Sequence, residues 1–222
     1  MPQFHLGDDF LLDYAAGSLP EPVSLLVATH LTLCAACRHK VNAFEAVGGA
    51  MLAEIDPVAL QANALVTALS ALDGTQFQIK EAQPWPDRPS LSTPELPRPL
   101  QHYVGKSLSS LDWKQPTAGI SQVDLAFQQD QYQASLLRID PGRVVPRHTH
   151  DGEEWTLVLA GGFSDPSGHY ALGDVCRATP EITHAPISDT NGPCLCLVVL
   201  DGNLQFTSLF SRLMRPFVKI LS

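Results

Sequence analysis

The sequence predicts an α + β protein of two domains, with a helical domain first and an antiparallel β domain second. Helical periodicity dominates residues 1–82, whereas residues 101–222 carry short apolar runs separated by Gly and Pro. Between them, residues 83–99 contain six prolines, a composition that favours an extended, semi-rigid connector. We therefore predict a helical domain at 1–82, a Pro-rich linker at 83–100 and a β sandwich or barrel at 101–222.

Four short helices are predicted in residues 1–82. Asp8 or Asp9 can cap the first, Ser18 begins a capping box for the second, and Asp56 with Pro57 begins the fourth. The first helix ends at 16, the third spans 38–55 and the fourth ends at 72. Four helices of this length enclose a thin core, so a bound metal ion would add stability that the core lacks.

Strand-like runs follow the linker. They lie at 123–127, 132–139, 154–159 and 194–200, and a short helix is possible near 208–214. Cys194 and Cys196 lie within the last of these apolar runs, so we expect buried core thiols there. His102 and His169 have no evident partner and are expected at the surface.

The N-terminal domain contains one imidazole and two thiols at metal-ligand spacing, His30, Cys34 and Cys37. In a straight helix His30 and Cys37 would be separated by roughly 10 Å along the axis, too far for one ion with bonds of about 2.1–2.3 Å. We therefore predict that the helix breaks between them. The alternative is a redox pair or two small core thiols, but no thioredoxin-like strand-to-helix context precedes the motif.

A tetrahedral zinc site needs a fourth ligand. The other Cys and His residues among the first 100 are His5 and His39. His39 lies two residues beyond Cys37 and would crowd the turn, so His5 is the candidate.

Charge is unevenly distributed along the chain, whose formal net charge is -9. Residues 1–85 hold three basic residues against nine acidic ones. This imbalance disfavours direct nucleic-acid binding and suits a basic protein surface instead. We find no signal-peptide pattern and no membrane-span pattern, and five cysteines without a disulfide framework suit a reducing compartment, so we expect a cytoplasmic protein.

A second constellation lies in the β region, where Gly142 and Gly161 flank His148, His150 and Glu154. On a strand the two histidines point to the same face, and Glu154 follows a short turn, so the three side chains can converge inside a barrel. His184 is the candidate fourth ligand. Such a site suits Zn, Fe(II), Mn or Ni; the alternative is two histidines on a solvated strand.

The stretch from Gly142 to Gly161 closely resembles the first cupin motif, a motif of antiparallel jelly-roll β-barrels. The second cupin motif is met in part, at Gly173 and His184. The spacing from Gly173 to Pro180 is one residue longer than in the family pattern. The Gly that usually follows this Pro is absent.

The N-terminal half looks like the zinc-binding anti-sigma domain, through His5, the Tyr14-Ala15-Ala16-Gly17 segment and the His30-x3-Cys34-x2-Cys37 motif. The two domains in this order, joined by a Pro-rich linker, resemble the ChrR-type anti-sigma factors over essentially the whole chain.

That resemblance implies a regulatory function. The helical domain would bind an extracytoplasmic-function sigma factor, in a 1:1 complex, with zinc held by His5, His30, Cys34 and Cys37. The cupin domain would hold zinc or another divalent metal through His148, His150, Glu154 and His184 and would respond to singlet oxygen or organic peroxide.

The competing hypothesis is a metal-dependent cupin enzyme, for example a dioxygenase, with the helical module serving assembly. An octahedral ion with four protein ligands keeps positions open for substrate. Catalysis would also need an acid or base beside the metal, and Glu153 is the candidate beyond the ligands.

Overall fold

The computed structural model describes residues 1–73, 96–104, 107–127, 131–202 and 204–206. The helix considered near 208–214 and residues 83–95 of the predicted linker lie outside these ranges. The linker prediction and its domain boundaries therefore stay predictions.

The secondary structure confirms a helical region followed by an antiparallel β region. The helices are α1 (Asp8–Ala15), α2 (Glu21–Leu33), α3 (Ala35–Ala53), α4 (Ala64–Asp73) and α5 (Arg98–Val104). The strands are β1 (Lys114–Thr117), β2 (Ile120–Leu125), β3 (Tyr132–Ile139), β4 (His148–His150), β5 (Glu154–Ala160), β6 (Gly162–Asp165), β7 (Gly168–Ala171), β8 (Val175–Ala178), β9 (Ile187–Ser188), β10 (Cys194–Asp201) and β11 (Leu204–Phe206).

The strands form three sheets. The largest has the order β1-β2-β3-β10-β5-β8, a second pairs β7-β6-β9, and β11 pairs with β4. The named strand pairs are antiparallel. All four predicted strands are present, with small shifts at their ends, as β2, β3, β5 and β10.

The central strands of the large sheet are buried on both faces. Along β10, Leu195, Leu197 and Val199 belong to a core shared with the helices. The alternate residues Cys196 and Val198 belong to a second core inside the β region. Double burial explains why the sequence here is continuously apolar instead of alternating.

Helix α2 supplies most of the helical side of the first core. Leu26 and Val27 are fully buried there, in the same cluster as the outer face of β5 and β10. Helix α1 contributes Phe10, whose ring lies edge-on to Trp155 of β5 with centroids 5.5 Å apart. These contacts place residues 1–46 in one compact unit with the described part of the chain after residue 95, whereas the unit that begins at Val47 is separate.

The predicted break between His30 and Cys37 is confirmed, because α2 ends at Leu33 and Cys34 has an extended backbone. The capping box predicted at Ser18 is wrong. Ser18 Oγ donates instead to the carbonyl oxygen of Asp13, and α2 begins only after Pro20, with Pro22 in its first turn. Proline fits there because the first helical N–H groups have no intrahelical acceptor.

Two further helical bounds differ from the prediction. Helix α4 begins at Ala64, not at Asp56, and its residues contribute nothing to either core among the described residues. Short helices depend on packing for their stability, so the first part of this segment stays irregular. Helix α5 was not predicted; it begins within the proposed linker, with Pro99 in its first turn.

Truncation of a core side chain on α2 tests the packing of the helices on the sheet. Leu26 is fully buried, so Leu26→Ala should lower the free energy of unfolding by about 2–5 kcal/mol. The control is Leu12→Ala on α1, where the side chain is 51% exposed and we expect a change within about 0.5 kcal/mol. Urea unfolding followed by tryptophan fluorescence measures both; equal effects would contradict this packing.

Candidate metal centres

The helical site is assembled by the start of the chain and by the junction between α2 and α3. His30 lies in the last turn of α2, Cys34 at its C-cap and Cys37 in the first turn of α3. His5 comes from the segment before α1. The four candidate ligand atoms all lie within 4.8 Å of one another.

The distances within this group suit a tetrahedral ion. His5 Nδ1 lies 3.3 Å from Cys34 Sγ and 3.5 Å from Cys37 Sγ. Ligands around a tetrahedral zinc with ordinary bond lengths would be separated by about 3.6 Å. His30 Nδ1 lies 2.9 Å from the carbonyl oxygen of Gly173, to which it donates. Its buried Nε2 has no hydrogen-bond partner in the described part of the chain, as expected for a metal ligand.

Burial favours the uncharged forms of the donors in this group. It raises the pKa of the Cys37 thiol to about 12, and the neighbouring Cys34 adds to the effect. Burial also lowers the pKa of His30, which keeps its imidazole neutral, although the Gly173 carbonyl opposes that shift. A divalent cation would displace the thiol protons and supply the charge that two thiolates need. The residues present therefore fit a metal ion.

The second group lies in the β region. His148 and His150 are on β4, Glu154 begins β5, and His184 lies between β8 and β9. All four side chains are buried, and their candidate ligand atoms lie within 4.8 Å of one another. His148 and His184 exchange two backbone hydrogen bonds of 3.0 and 3.1 Å, which fixes their side chains next to each other.

The hydrogen bonds of the two imidazoles indicate which nitrogen carries the proton in each neutral ring. His148 Nδ1 donates to the carbonyl oxygen of Pro146 over 2.7 Å, and His184 Nδ1 faces a carboxylate oxygen of Asp165 at 3.1 Å. In the neutral rings both Nε2 atoms then carry lone pairs, yet they lie only 3.0 Å apart. Two facing lone pairs repel each other, and a cation between them removes that repulsion. This donor set fits a metal ion.

Electrostatics support the same interpretation. Burial lowers the pKa of His148 to about 4, although Glu154 opposes the shift. Burial alone would raise the pKa of Glu154, but contacts with His150 and the other two imidazoles outweigh it and lower the pKa to about 2. His150 Nε2 lies 3.0 Å from Glu154 Oε2, outside hydrogen-bond geometry. Neutral imidazoles and one carboxylate are the donors that divalent transition metals prefer.

Comparison with known proteins identifies the family. Residues 102–203 match the ChrR cupin-like domain. The chain is 39% identical over 216 residues to the anti-sigma-E factor ChrR of Cereibacter sphaeroides, which covers 97% of this chain and 98% of that protein. The chain belongs to the ChrR family. It is also similar to a crystal structure of Rhodobacter sphaeroides SigE in complex with the anti-sigma ChrR, with a TM-score of 0.74, 36% identity, and coverage of 90% of this chain and 100% of that one.

An apolar cavity of about 50 Å³ opens onto the β-region group of this ChrR-family chain. It reaches His148, Glu154 and His184, and the thiols of Cys176 and Cys196 also line it. Most of the remaining lining is apolar, contributed by Leu137, Ile139, Val145, Phe163, Pro186 and Val198. A cavity of this character suits a small, uncharged molecule.

The structure also shows where the other residues discussed in the sequence of this ChrR-family chain lie. Cys194 and Cys196 are buried, with their sulfur atoms 3.5 Å apart, which confirms core thiols. His169 is at the surface, as predicted, but it has a partner: its Nε2 lies 3.1 Å from Asp189. Glu153 pairs with Arg177 over 2.5 and 2.9 Å and does not line the cavity.

Sequence reasoning missed the residues that orient the ligands. Asp165 holds His184, Thr156 donates to Glu154 over 3.0 Å, and the Gly173 carbonyl holds His30. The contacts of Asp165 and Gly173 join residues that are distant in sequence, so ligand spacing alone could not find them. The segment Asp165-Pro166-Ser167-Gly168 could have marked a turn that places a carboxylate at the end of β6.

Substitution of Asp165 tests whether the β-region group binds metal. Asp165 Oδ1 accepts two turn N–H groups, and only an oxygen can keep that position. In Asp165→Asn the amide nitrogen would therefore take the other position, which faces His184. His184 would then carry its proton on Nε2 and lose its ligand atom. We expect metal affinity at this site to fall about 10-fold to 100-fold in chelator competition. Asp189→Asn, at the surface His169 pair, is the control and should retain affinity; equal affinities in all three proteins would refute the assignment.

Proposed function

We propose that this chain is an anti-sigma factor. Its helical region binds an extracytoplasmic-function sigma factor in a 1:1 complex and keeps that factor from RNA polymerase. The metal-binding cupin domain responds to singlet oxygen or organic peroxide and releases the partner. The chain thus acts as a negative regulator of transcription and contacts no DNA itself.

The similarity to the Cereibacter sphaeroides anti-sigma-E factor carries this proposal, because it extends over both domains. A match to the cupin domain alone would be compatible with many functions, since one fold hosts many activities. Here 97% of the chain aligns with 98% of a protein described as an anti-sigma factor. The solved relative is described in complex with its sigma factor, SigE.

The second compact unit offers a surface that suits a protein partner. Within the described residues from 47 to 72, large apolar side chains are more than half exposed at Val47, Met51, Leu52, Ile55, Val58, Leu60, Leu65, Val66, Leu69 and Leu72. Exposed apolar side chains at this density are typical of an interaction surface. Residues 1–85 are also acidic, which favours a basic partner. No described helix is long and apolar enough to cross a membrane.

We assign zinc to His5, His30, Cys34 and Cys37, because two thiolates with two imidazoles form a donor set that zinc prefers. This ion would hold the N-terminal segment to the junction of α2 and α3. For His148, His150, Glu154 and His184 we propose zinc or another divalent transition metal. The cavity beside this second group supports its role as the sensor, since singlet oxygen and small peroxides are uncharged and could enter it.

The alternative of a cupin enzyme receives less support from the site. The proposed acid or base, Glu153, is held by Arg177 away from the cavity. The cavity thiols are also poor nucleophiles: burial raises the pKa of Cys176 to about 12, and a hydrogen bond with Cys194 together with burial raises the pKa of Cys196.

Affinity purification of the tagged full-length chain from its own cells tests the proposal. We expect a sigma factor in equal amount, identified by mass spectrometry. The Cys34→Ser, Cys37→Ser double variant should lose both zinc and partner, whereas Cys194→Ser, which alters a thiol outside both metal groups, should keep the partner. Purification without any sigma factor would shift support to the enzyme, and turnover of a small substrate with O2 would be the next assay.

Release under oxidant stress tests the role of the cupin domain. The His148→Ala, Glu154→Ala double variant should still bind the sigma factor but should not release it when cells are exposed to singlet oxygen. A reporter driven by a promoter of that sigma factor measures release. His169→Ala, at an exposed histidine of the same domain, should respond like the wild type; normal induction in the double variant would exclude the cupin site as sensor.

A further inference from the structure

The turn between β7 and β8 binds the chain segment that precedes α1. The carboxylate of Asp174 is 3% exposed and accepts the backbone N–H groups of Gln3 and Phe4 over 2.5 and 3.0 Å. Its other oxygen accepts the N–H of Ala171 over 2.8 Å. The N–H of Val175 donates in turn to the carbonyl oxygen of Phe4 over 3.1 Å. A buried carboxylate with three N–H donors is a strong, directional contact.

Side-chain packing supports the same contact. The ring of Phe4 packs on Tyr170 with centroids 4.6 Å apart. Gly173 has a φ of +87°, and a Cβ atom there would lie 2.7 Å from Pro2 Cγ and 3.3 Å from Leu33 Cβ. Glycine therefore lets the turn approach both the N-terminal segment and the end of α2.

This turn contacts His30 directly, and it binds Phe4, the residue before His5. The Gly173 carbonyl oxygen accepts the Nδ1 proton of His30, which directs Nε2 toward the cysteines. His5 is the one exposed member of the group, and it directly follows Phe4, which Asp174 holds. On the N-terminal side of His5, Gln3 and Phe4 are thus held by Asp174 and Val175 of the β domain, and on the other side Leu6 is buried in the core.

We infer that the Gly173–Asp174 turn of the β domain is a positioning element of the helical metal site. This inference rests on the metal site proposed above. Without the turn, ion binding would have to order the N-terminal segment and the His30 ring at the same time, and the lost conformational entropy would lower affinity. With the turn in place, His5 and His30 are held near the cysteines before the ion arrives.

The consequence is a connection between the two domains. The β domain sets the metal affinity of a site whose four ligands all come from the first 46 residues. Any change that displaces the turn would release His5 and His30 from their positions without a chemical change at Cys34 or Cys37.

Cobalt(II) titration of the full-length apoprotein tests the inference. Thiolate-to-cobalt charge-transfer absorption reports the site with Cys34 and Cys37 alone, because the β-region group offers only nitrogen and oxygen donors. In Asp174→Asn one acceptor oxygen becomes an amide donor, which would face an N–H group. We expect cobalt affinity at the thiolate site to fall about tenfold, with weaker visible bands as His5 leaves a tetrahedral ion. Asp124→Asn, at an exposed ion pair with Lys114, is the matched control and should titrate like the wild type.

A second variant, Phe4→Ala, leaves Asp174 intact and removes the packing on Tyr170, so it decides the question if Asp174→Asn does not fold. It should also lower cobalt affinity. Unchanged affinity in a folded Asp174→Asn and in Phe4→Ala would overturn the inference while the proposed metal site stands. A wild-type protein without any thiolate band would overturn the metal site itself, and the inference with it.

Discussion

The burial of strands β5 and β10 on both faces is the constraint on which the rest of the unit depends. One face of each strand belongs to the interior of the β region, where Glu154 and the cavity lie. The other face, with Trp155 and Leu197, would be an exposed apolar sheet without the helices. Helix α2 covers it with Leu26 and Val27. The end of α2 that carries the candidate ligand His30 is thereby held beside the β7–β8 turn, so packing of the sheet determines the surroundings of the helical group.

The sequence predicted which residues come together in both candidate metal groups. Three members of each group follow from local spacing, whereas His5 and His184 are distant in sequence from the other members. The break after His30 was required by the length of an α-helix, and the observed end of α2 at Leu33 agrees. His148 and His150 share a face because side chains alternate along a strand. The contacts that orient these ligands could not be predicted in this way. Asp165 and Asp174 contact residues that are distant in sequence, His184 and the segment from Gln3 to Phe4. Their local sequence can mark a turn, but it does not indicate these distant partners.

Packing between the helices and the sheet was also beyond the sequence prediction, although a signal for it was present. An antiparallel strand with one solvated face should alternate, yet Cys194-Leu195-Cys196-Leu197-Val198-Val199-Leu200 does not. That run predicts a strand covered on both sides, and the helical domain is the natural cover within this chain. The bounds of α4 were less predictable, because the stripe from Leu60 to Leu72 has the helical period but contacts neither described core. A periodic apolar pattern indicates what is available for burial, but not whether burial occurs within the same chain.

By thermodynamic linkage, the contact between the β7–β8 turn and the N-terminal segment would be stabilised by metal binding at the helical group. If the turn raises metal affinity tenfold, then bound metal stabilises the contact with the turn by the same factor, about 1.4 kcal/mol. A series of contacts also connects the two candidate metal groups. Asp165 contacts His184 and lies 3.9 Å from the sulfur of Cys176, which directly follows Val175. Val175 in turn donates its N–H to Phe4. These contacts connect His184 to the strand that holds Phe4, the residue before His5.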